Sequence, residues 1–291
     1  MVFSRTKTRF VVLPPCGLPV SKKLFRNIQV DSSRYDELLA DMQRFRGRVY
    51  LSDGAIKPSD LINGRHRLSI DERSWHVLSL DSGGRISACL RYLGHLNPCG
   101  LDDLWVREAA LADSPTFGAY FRMAVEAEIK YAKKMKLGFG EVGGWAVGEE
   151  FRRSLEPLRV ILTSYALGQL LGGCTGVATA TFRHGSAAVL RRIGLHPLQW
   201  DGAALPPYYD ERYGCEMEVL RFDTRTPNSK YQASVTELSA DLAESPVICY
   251  DAQMPDRVSV CDGCYIQNSC NGCGTWQPVI GLIPISVGVY A

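Results

Sequence analysis

The amino-acid sequence predicts a mixed α/β layer fold, on three observations. Four stretches place apolar residues at the spacing of one helix face. Between them run short segments of strand length, two of them joined by a tight turn. The order is helix, hairpin, helix, strand, helix, strand, helix, strand, an alternation that builds a sheet covered by helices.

Residues 1–29 form an N-terminal segment with basic residues at its start and the apolar run Phe10-Val11-Val12-Leu13, followed at once by Pro14 and Pro15. That run is too short for the core of a signal peptide. Within Tyr35–Met42, Leu38, Leu39 and Met42 share a helix face, and Ser32 or Ser33 is the expected cap. Residues 51–70 are polar and turn-rich and read as a loop. Trp75–Leu80 and Arg85–Tyr92 read as strands joined by Asp81-Ser82-Gly83-Gly84, a hairpin turn.

Phe117–Lys136 predicts a helix through Phe121, Ala124, Val125, Ile129 and Ala132. Lys133, Lys134 and Lys136 suit the negative end of its dipole, and Gly138 is expected to stop it. Glu141–Val147 is a strand with two central glycines. A helix follows from about Pro157 to Leu171, with proline near its first position. Cys174–Phe182 is a strand, Gly185–Ile193 a helix stopped by Gly194, and Cys215–Phe222 a last strand. Thr224–Lys230 reads as a linker. The expected divisions are therefore an N-terminal segment (1–29), a folded domain (30–223), and a linker with a Cys-rich tail (224–291).

The chain has 291 residues, with 33 Lys plus Arg against 31 Asp plus Glu, a net charge of +2. That balance argues against a nucleic-acid partner, which calls for a basic excess. No stretch approaches the roughly 20 apolar residues of a membrane span. The protein is read as cytoplasmic, and its ten cysteines as mostly reduced thiols or metal ligands.

Residues 141–195 resemble the core of the GNAT acyltransferase superfamily. The features that match are strand Glu141–Val147, an arginine-bearing turn, a long helix, strand Gly176–Phe182, and the helix ending Leu190-Arg191-Arg192-Ile193-Gly194-Leu195. Upstream, Asp71, Trp75-His76-Val77-Leu78 and Ala88-Cys89-Leu90-Arg91-Tyr92-Leu93 look like the branch of acyl-homoserine-lactone synthases and N-acyl amino acid synthases. The resemblance covers residues 30–223. It implies a GNAT-like fold, a mixed central sheet flanked by helices. A V-shaped gap between two parallel strands would receive the pantetheine arm of a thioester donor. Gly143 and Gly144 suit a strand that another chain must approach closely.

The resemblance also implies roles. Glu141 stands where the branch places a carboxylate that takes a proton from the amine, directly or through water, or holds its ammonium form; a surface ion pair is the plainer alternative. Backbone N–H groups near Gly144 and Trp145 would polarise the thioester carbonyl. Asp71 and Arg91 match residues that organise the acceptor pocket. Many GNAT proteins carry a tyrosine acid at the position of Leu190, so that acid is missing here. Arg183 and His184 lie beside the site, His184 as an alternative acid. Lactone synthases carry an arginine where this chain has Gly144, which argues against S-adenosylmethionine and for an amino acid acceptor.

The donor turn is altered. GNAT proteins hold the CoA pyrophosphate on a glycine-rich turn at a helix N-terminus. Here it reads Arg152-Arg153-Ser154-Leu155-Glu156-Pro157, without glycine, with a proline that has no N–H and a glutamate expected to repel phosphate. Arg152, Arg153, Arg159, Arg183, Arg191 and Arg192 are expected to face an acidic acyl carrier protein instead. The expected reaction moves a fatty acyl group from a carrier-protein thioester to the amino group of an amino acid or similar small amine. The alternatives are a CoA-dependent acetyltransferase and a catalytically silent, metal- or redox-responsive binding protein.

The tail carries Cys261-x2-Cys264-x5-Cys270-x2-Cys273. Two C-x-x-C pairs suit structural zinc, although the middle gap is shorter than that of a zinc ribbon. Free or disulfide-forming thiols come next, then an iron–sulfur site. Acyl transfer needs no cofactor. The apolar stretch Pro278–Ile285 is expected to pack on the domain or touch a membrane surface, not to span it.

Overall fold

Residues 8–95 and 99–251 are described by a computed structural model. In chain order they form β1 (Arg9–Leu13), β2 (Asn27–Val30), α1 (Ser32–Ser52), β3 (Trp75–Leu80), β4 (Ile86–His95), α2 (Gly118–Lys134), β5 (Gly138–Val147), α3 (Glu156–Leu170) and β6 (Cys174–Thr181). These are followed by α4 (Ser186–Ile193), the short strands β7 (His196–Pro197), β8 (Gln199–Trp200) and β9 (Ala203–Ala204), then β10 (Tyr208–Asp210), β11 (Cys215–Asp223), α5 (Gln232–Glu244) and β12 (Pro246–Cys249).

Ten strands make one mixed sheet in the order β10-β11-β6-β5-β4-β3-β1-β12-β2, with β7 pairing β11. β5 and β6 run parallel, as do β12 and its two neighbours; the other pairs are antiparallel. Alternation assigns the two faces. Leu90, Tyr92, Val142, Ala178, Ala180, Leu220 and Phe222 pack against α3, α4 and α5. On the opposite face Cys89 and Ala146 pack under α1. Phe139, Val177 and Val219 pack under α2 on that same face. The helix-flanked mixed sheet expected from the sequence is what forms.

Several local expectations change. The cap of α1 is Asp31, in extended conformation, whose side chain accepts the Arg34 N–H at 2.9 Å; Ser32 and Ser33 are already helical. α2 is terminated by Lys136, left-handed at φ 56°, and Gly138 opens the next strand. The division at 223 does not hold. α5 packs on α3, and β12 lies between β1 and β2 within the sheet, so the described residues form one compact unit. The run at 9–13 is a sheet strand, buried from Phe10 to Leu13. Short strands whose partners lie far along the chain carry little local signal. Among the described residues no helix is long and apolar enough to cross a membrane. Cys261, Cys264, Cys270, Cys273 and the apolar stretch after them lie outside the described residues.

Candidate active site

β5 and β6 pair in parallel from Gly138↔Cys174 to Val142↔Ala178 and stop there, although β5 runs on to Val147 and β6 to Thr181. Two glycines frame the parting. A Cβ on Gly176 would lie 1.8 Å from the Gly140 carbonyl oxygen, so the backbones pinch together just before they separate. Beyond the split, Arg91 faces Gly143 but Cys89 faces Ala146, which leaves Gly144 and Trp145 bulged against Leu90. Gly144 has φ +60°, a left-handed conformation open to glycine, and a Cβ there would meet the Arg91 Cβ at 2.9 Å. β6 meanwhile stays paired with β11 from Thr175 to Thr181. The opening therefore comes from β5 bending away.

The gap holds a cavity of about 170 Å³, lined by Gly143, Gly144 and Trp145 on one side and Thr179, Ala180 and Thr181 on the other. It passes through the sheet. Ile161, Ser186 and Leu190 close it on the α3/α4 face; Arg46, Tyr50, His66, Arg91, Trp105 and Tyr213 line it on the α1/α2 face. A second lobe of about 330 Å³ on that face shares His66, Trp105, Thr179, Tyr213 and Met217 with the first.

The charge at this face is organised by one ion pair. Arg46 and Asp71 are fully buried and joined by two hydrogen bonds, Nη1 to Oδ1 at 3.0 Å and Nη2 to Oδ2 at 2.7 Å. Gln43 and the Leu68 N–H also donate to Asp71. Burial would raise the Asp71 carboxyl, but the charge and hydrogen bonds of Arg46 prevail and hold it below the usual carboxylate range. Asp71 is thus a structural anchor for α1. Arg91 is different. It is 6 % exposed, and its Nε and Nη1 have no hydrogen-bond partner among the described residues. Burial and the neighbouring Arg46 charge lower its pKa, yet a guanidinium remains a cation. A buried cation without its own anion, facing a cavity, is a seat for an anionic group.

Glu141 lies at the apex of the split and is buried, so the surface-pair alternative does not hold. Its Oε1 accepts the Trp105 N–H at 2.8 Å and is 2.8 Å from His95 Nε2; its Oε2 accepts the Val106 N–H at 2.6 Å. Three donors occupy the carboxylate. What Glu141 does here is pin residues 105–106 against the opening.

A parallel strand pair that splays at a bulged, glycine-bearing strand, with the following helix starting at the mouth, is the arrangement the sequence led us to expect. The fold is GNAT-like. No family model matches the sequence, and no curated protein does. Among solved structures, the chain is similar to TofI in complex with an inhibitor and MTA, at 16% identity and TM-score 0.49, over 80% of this chain and 99% of that one. It is similar to BjaI, a CoA-dependent acyl-homoserine lactone synthase, at 14% identity and TM-score 0.48, over 84% and 93%. It is also similar to FeeM, an N-acyl amino acid synthase from uncultured soil microbes, at 10% identity and TM-score 0.46, over 75% and 92%.

The donor turn corrects several expectations. Glu156 faces inward, taking hydrogen bonds from Thr8 and Ser79 and pairing with Arg159, so it presents no charge to a phosphate. Arg159 is itself buried, stacked over the Phe10 ring at 3.7 Å, and cannot meet a partner protein. Arg152 is clamped on Asp53, and Arg191 is paired with Glu218. Arg183 lines the cavity and bridges the Gly54 and Gly214 carbonyls at 3.0 and 2.5 Å, bracing two loops at the mouth. Arg153 and Arg192 remain, exposed and without an ion pair among the described residues; Leu155 and Phe182 are exposed apolar residues, and the guanidinium over the Phe182 ring is that of Arg191, at 5.9 Å. The side chain of His184 lies outside the described residues. Leu190 is buried against the cavity.

Sequence reasoning did not find Arg46, Tyr50, His66, Trp105 or Tyr213. Arg46 and Tyr50 sit one turn apart on α1, a polar stripe on an otherwise buried helix face, which is a readable signal. His66 and Tyr213 come from loops and Trp105 opens a short 3-10 helix, Trp105–Glu108, and none of the three carried a signal.

Proposed function

We propose that this protein is an N-acyltransferase that moves a fatty acyl group from an acyl-carrier-protein thioester to the amino group of an amino acid or similar small amine. The splayed pair β5/β6 carries this reading. An extended pantetheine arm needs unpaired strand backbone to hydrogen-bond, and strand beyond Val142 and Ala178 supplies it. The bulge at Gly144 and Trp145 offers backbone N–H groups to the thioester carbonyl as negative charge develops on its oxygen. The amine nitrogen forms a bond to the carbonyl carbon, the C–S bond breaks, and the thiolate leaves. With leucine at position 190, the phenolic hydroxyls that line the gap are those of Tyr50 and Tyr213, beside the aliphatic hydroxyls of Thr179, Thr181 and Ser186.

Arg91 supports an acceptor that carries a carboxylate beside its amine, since it is the buried cation at the cavity without an anion of its own. Exposed Arg153 and Arg192, with Leu155 and Phe182, support a protein donor with an acidic, partly apolar surface. The inward-facing Glu156 favours one second reading, a CoA thioester as donor, because the repulsion expected from that residue does not arise. A cytoplasmic location fits such donors, and structural zinc at Cys261, Cys264, Cys270 and Cys273 remains our proposal for the tail.

The test supplies purified protein with decanoyl carrier protein or decanoyl-CoA and a mixture of amino acids, and searches for N-decanoyl amides by mass spectrometry. The expected result is an amide formed at least about tenfold faster from the carrier protein. Amide from CoA alone would replace the donor assignment, and no amide from either would remove the acyltransferase reading.

A further inference from the structure

The amine that attacks a thioester must give up a proton, and the carboxylate first expected to take it already accepts three hydrogen bonds. Other carboxylates at the two lobes are also engaged: Asp53 with Arg152, Asp210 with Arg212, Glu108 with Arg107, and Asp60 with the Lys57 N–H. One basic group is not. His66 lines both lobes and is 8 % exposed, and its Nδ1 is buried with no partner among the described residues.

Its placement is rigid. The His66 N–H donates to the Gln43 carbonyl at 3.1 Å, and its carbonyl accepts from Arg46 Nη2 at 2.5 Å. The imidazole lies 5.5 Å from the Tyr50 ring, tilted by 56°. Both anchors belong to α1, and Arg46 is itself locked to Asp71. The His66 main chain is therefore fixed at the junction of the lobes by the same network that Asp71 organises, and the Tyr50 ring stands beside the imidazole.

We propose that His66 is a catalytic residue, the proton acceptor for the attacking amine. This rests on the N-acyltransferase reading. The neutral amine attacks the thioester carbon, its N–C bond forms, and its surplus proton moves to the imidazole nitrogen. The C–S bond breaks with its electron pair on sulfur, and the imidazolium returns the proton to that thiolate, so the ring ends as it began.

The charges around the ring give the step a built-in condition. Burial and the Arg46 charge push His66 down to about 4, with Arg91 adding to the effect and Asp71 and Asp60 opposing it. The imidazole is thus neutral at pH 7 but a weak base in the empty site. A carboxylate seated on Arg91 offsets that positive charge and makes His66 a stronger base. An acceptor with a carboxylate next to its amine would prepare its own proton acceptor; a simple amine would not.

The experiment compares wild type, His66→Gln, His66→Ala and Arg91→Gln as full-length chains, with decanoyl carrier protein and either leucine or isopentylamine. Glutamine keeps polar contacts but cannot accept the proton. Expected for His66→Gln is a fall in kcat of about 100–1000-fold, with KM for leucine within about threefold and the pH dependence of the rate flattened. Added imidazole should restore part of the activity of His66→Ala, which a purely structural role would not allow. Turnover of His66→Gln within about threefold of wild type, or no rescue of His66→Ala, overturns the proposal.

A second measurement needs no turnover. Histidine-ring NMR on wild type should show the His66 pKa rising by about one unit on saturation with leucine, with no rise for isopentylamine or in Arg91→Gln. Absence of that shift overturns the coupling whether or not the wild type makes amide. A shift in a wild type that makes no amide would sink the acyltransferase reading, and the catalytic role with it.

Discussion

Gly144→Ala tests the geometry on which the site depends. At φ +60° a residue with a Cβ suffers about 1–2 kcal/mol of backbone strain. The new Cβ would also stand 2.9 Å from the Arg91 Cβ, part of a stiff strand, and overpacking of this kind adds about 1 kcal/mol. The total, about 2–3 kcal/mol, corresponds to a melting temperature about 5–10 °C lower for a unit of this size. Relief comes by shifting β5, which moves the N–H groups of Gly144 and Trp145 proposed to polarise the thioester. A displacement near 1 Å at such a site costs on the order of 100-fold in kcat. Gly143→Ala is the paired control. Gly143 has ordinary φ, and its Cβ would press only on the flexible Arg91 Nη2 at 3.0 Å. It should melt near wild type and mainly raise KM for the acceptor. The assays are thermal unfolding by circular dichroism and acyl transfer from decanoyl carrier protein. If Gly144→Ala melts like wild type and keeps its kcat, the left-handed bulge, and with it the splayed wedge, is not part of the protein.

Glu141→Ala would leave the Trp105 and Val106 N–H groups and the His95 ring nitrogen without their acceptor, a cost of about 2–5 kcal/mol in urea unfolding; a loss below about 1 kcal/mol would contradict the pinning role. His66 and His76 are both pushed down to about 4 by burial, below the roughly 6.5 of an unfolded histidine. Between these values the unfolded chain binds protons the folded chain does not, so stability is full above pH 6.5 and falls as the pH drops toward 4, on the order of 3 kcal/mol per histidine. Urea midpoints at pH 7, 5.5 and 4.5 should show this fall, and His76→Gln should shallow it. Asp71 has a depressed pKa, so its share survives through that window and is lost only in stronger acid. For the tail, elemental analysis should find about one zinc per chain, lost in Cys261→Ser; a metal-free wild type ends that proposal.

Much of the sheet was legible because helix and strand periods are local properties. The hairpin Trp75–Leu80 and Ile86–His95, and the stop of α4 at Gly194 with φ +120°, follow from turn chemistry and alternation alone. Glycine at 143–144 was expected for a strand that another chain approaches closely; the structure gives Gly144 its own reason, a φ of +60° and the Arg91 Cβ 2.9 Å from where a Cβ would stand. What local pattern could not give was whom each group meets. Glu156 and Arg159 read as a charged surface turn; the fold turns both inward onto Thr8 and Ser79, residues 148 and 77 positions away from Glu156. Arg91 and Arg46 look alike in the sequence, yet one has Asp71 and the other has the cavity. Gly176 carries no motif, and only its encounter with Gly140 shows why a side chain there is excluded. The sequence by itself determined α1, the β3/β4 hairpin, α2, β5, α3, β6, α4 and β11 in their order, and the strand that must bulge; β1, β2, α5 and β12 it did not. Tertiary structure decided which charges are spent on each other and which stay uncommitted at the wedge, because pairing depends on distances set by long-range strand register, which no local periodicity encodes.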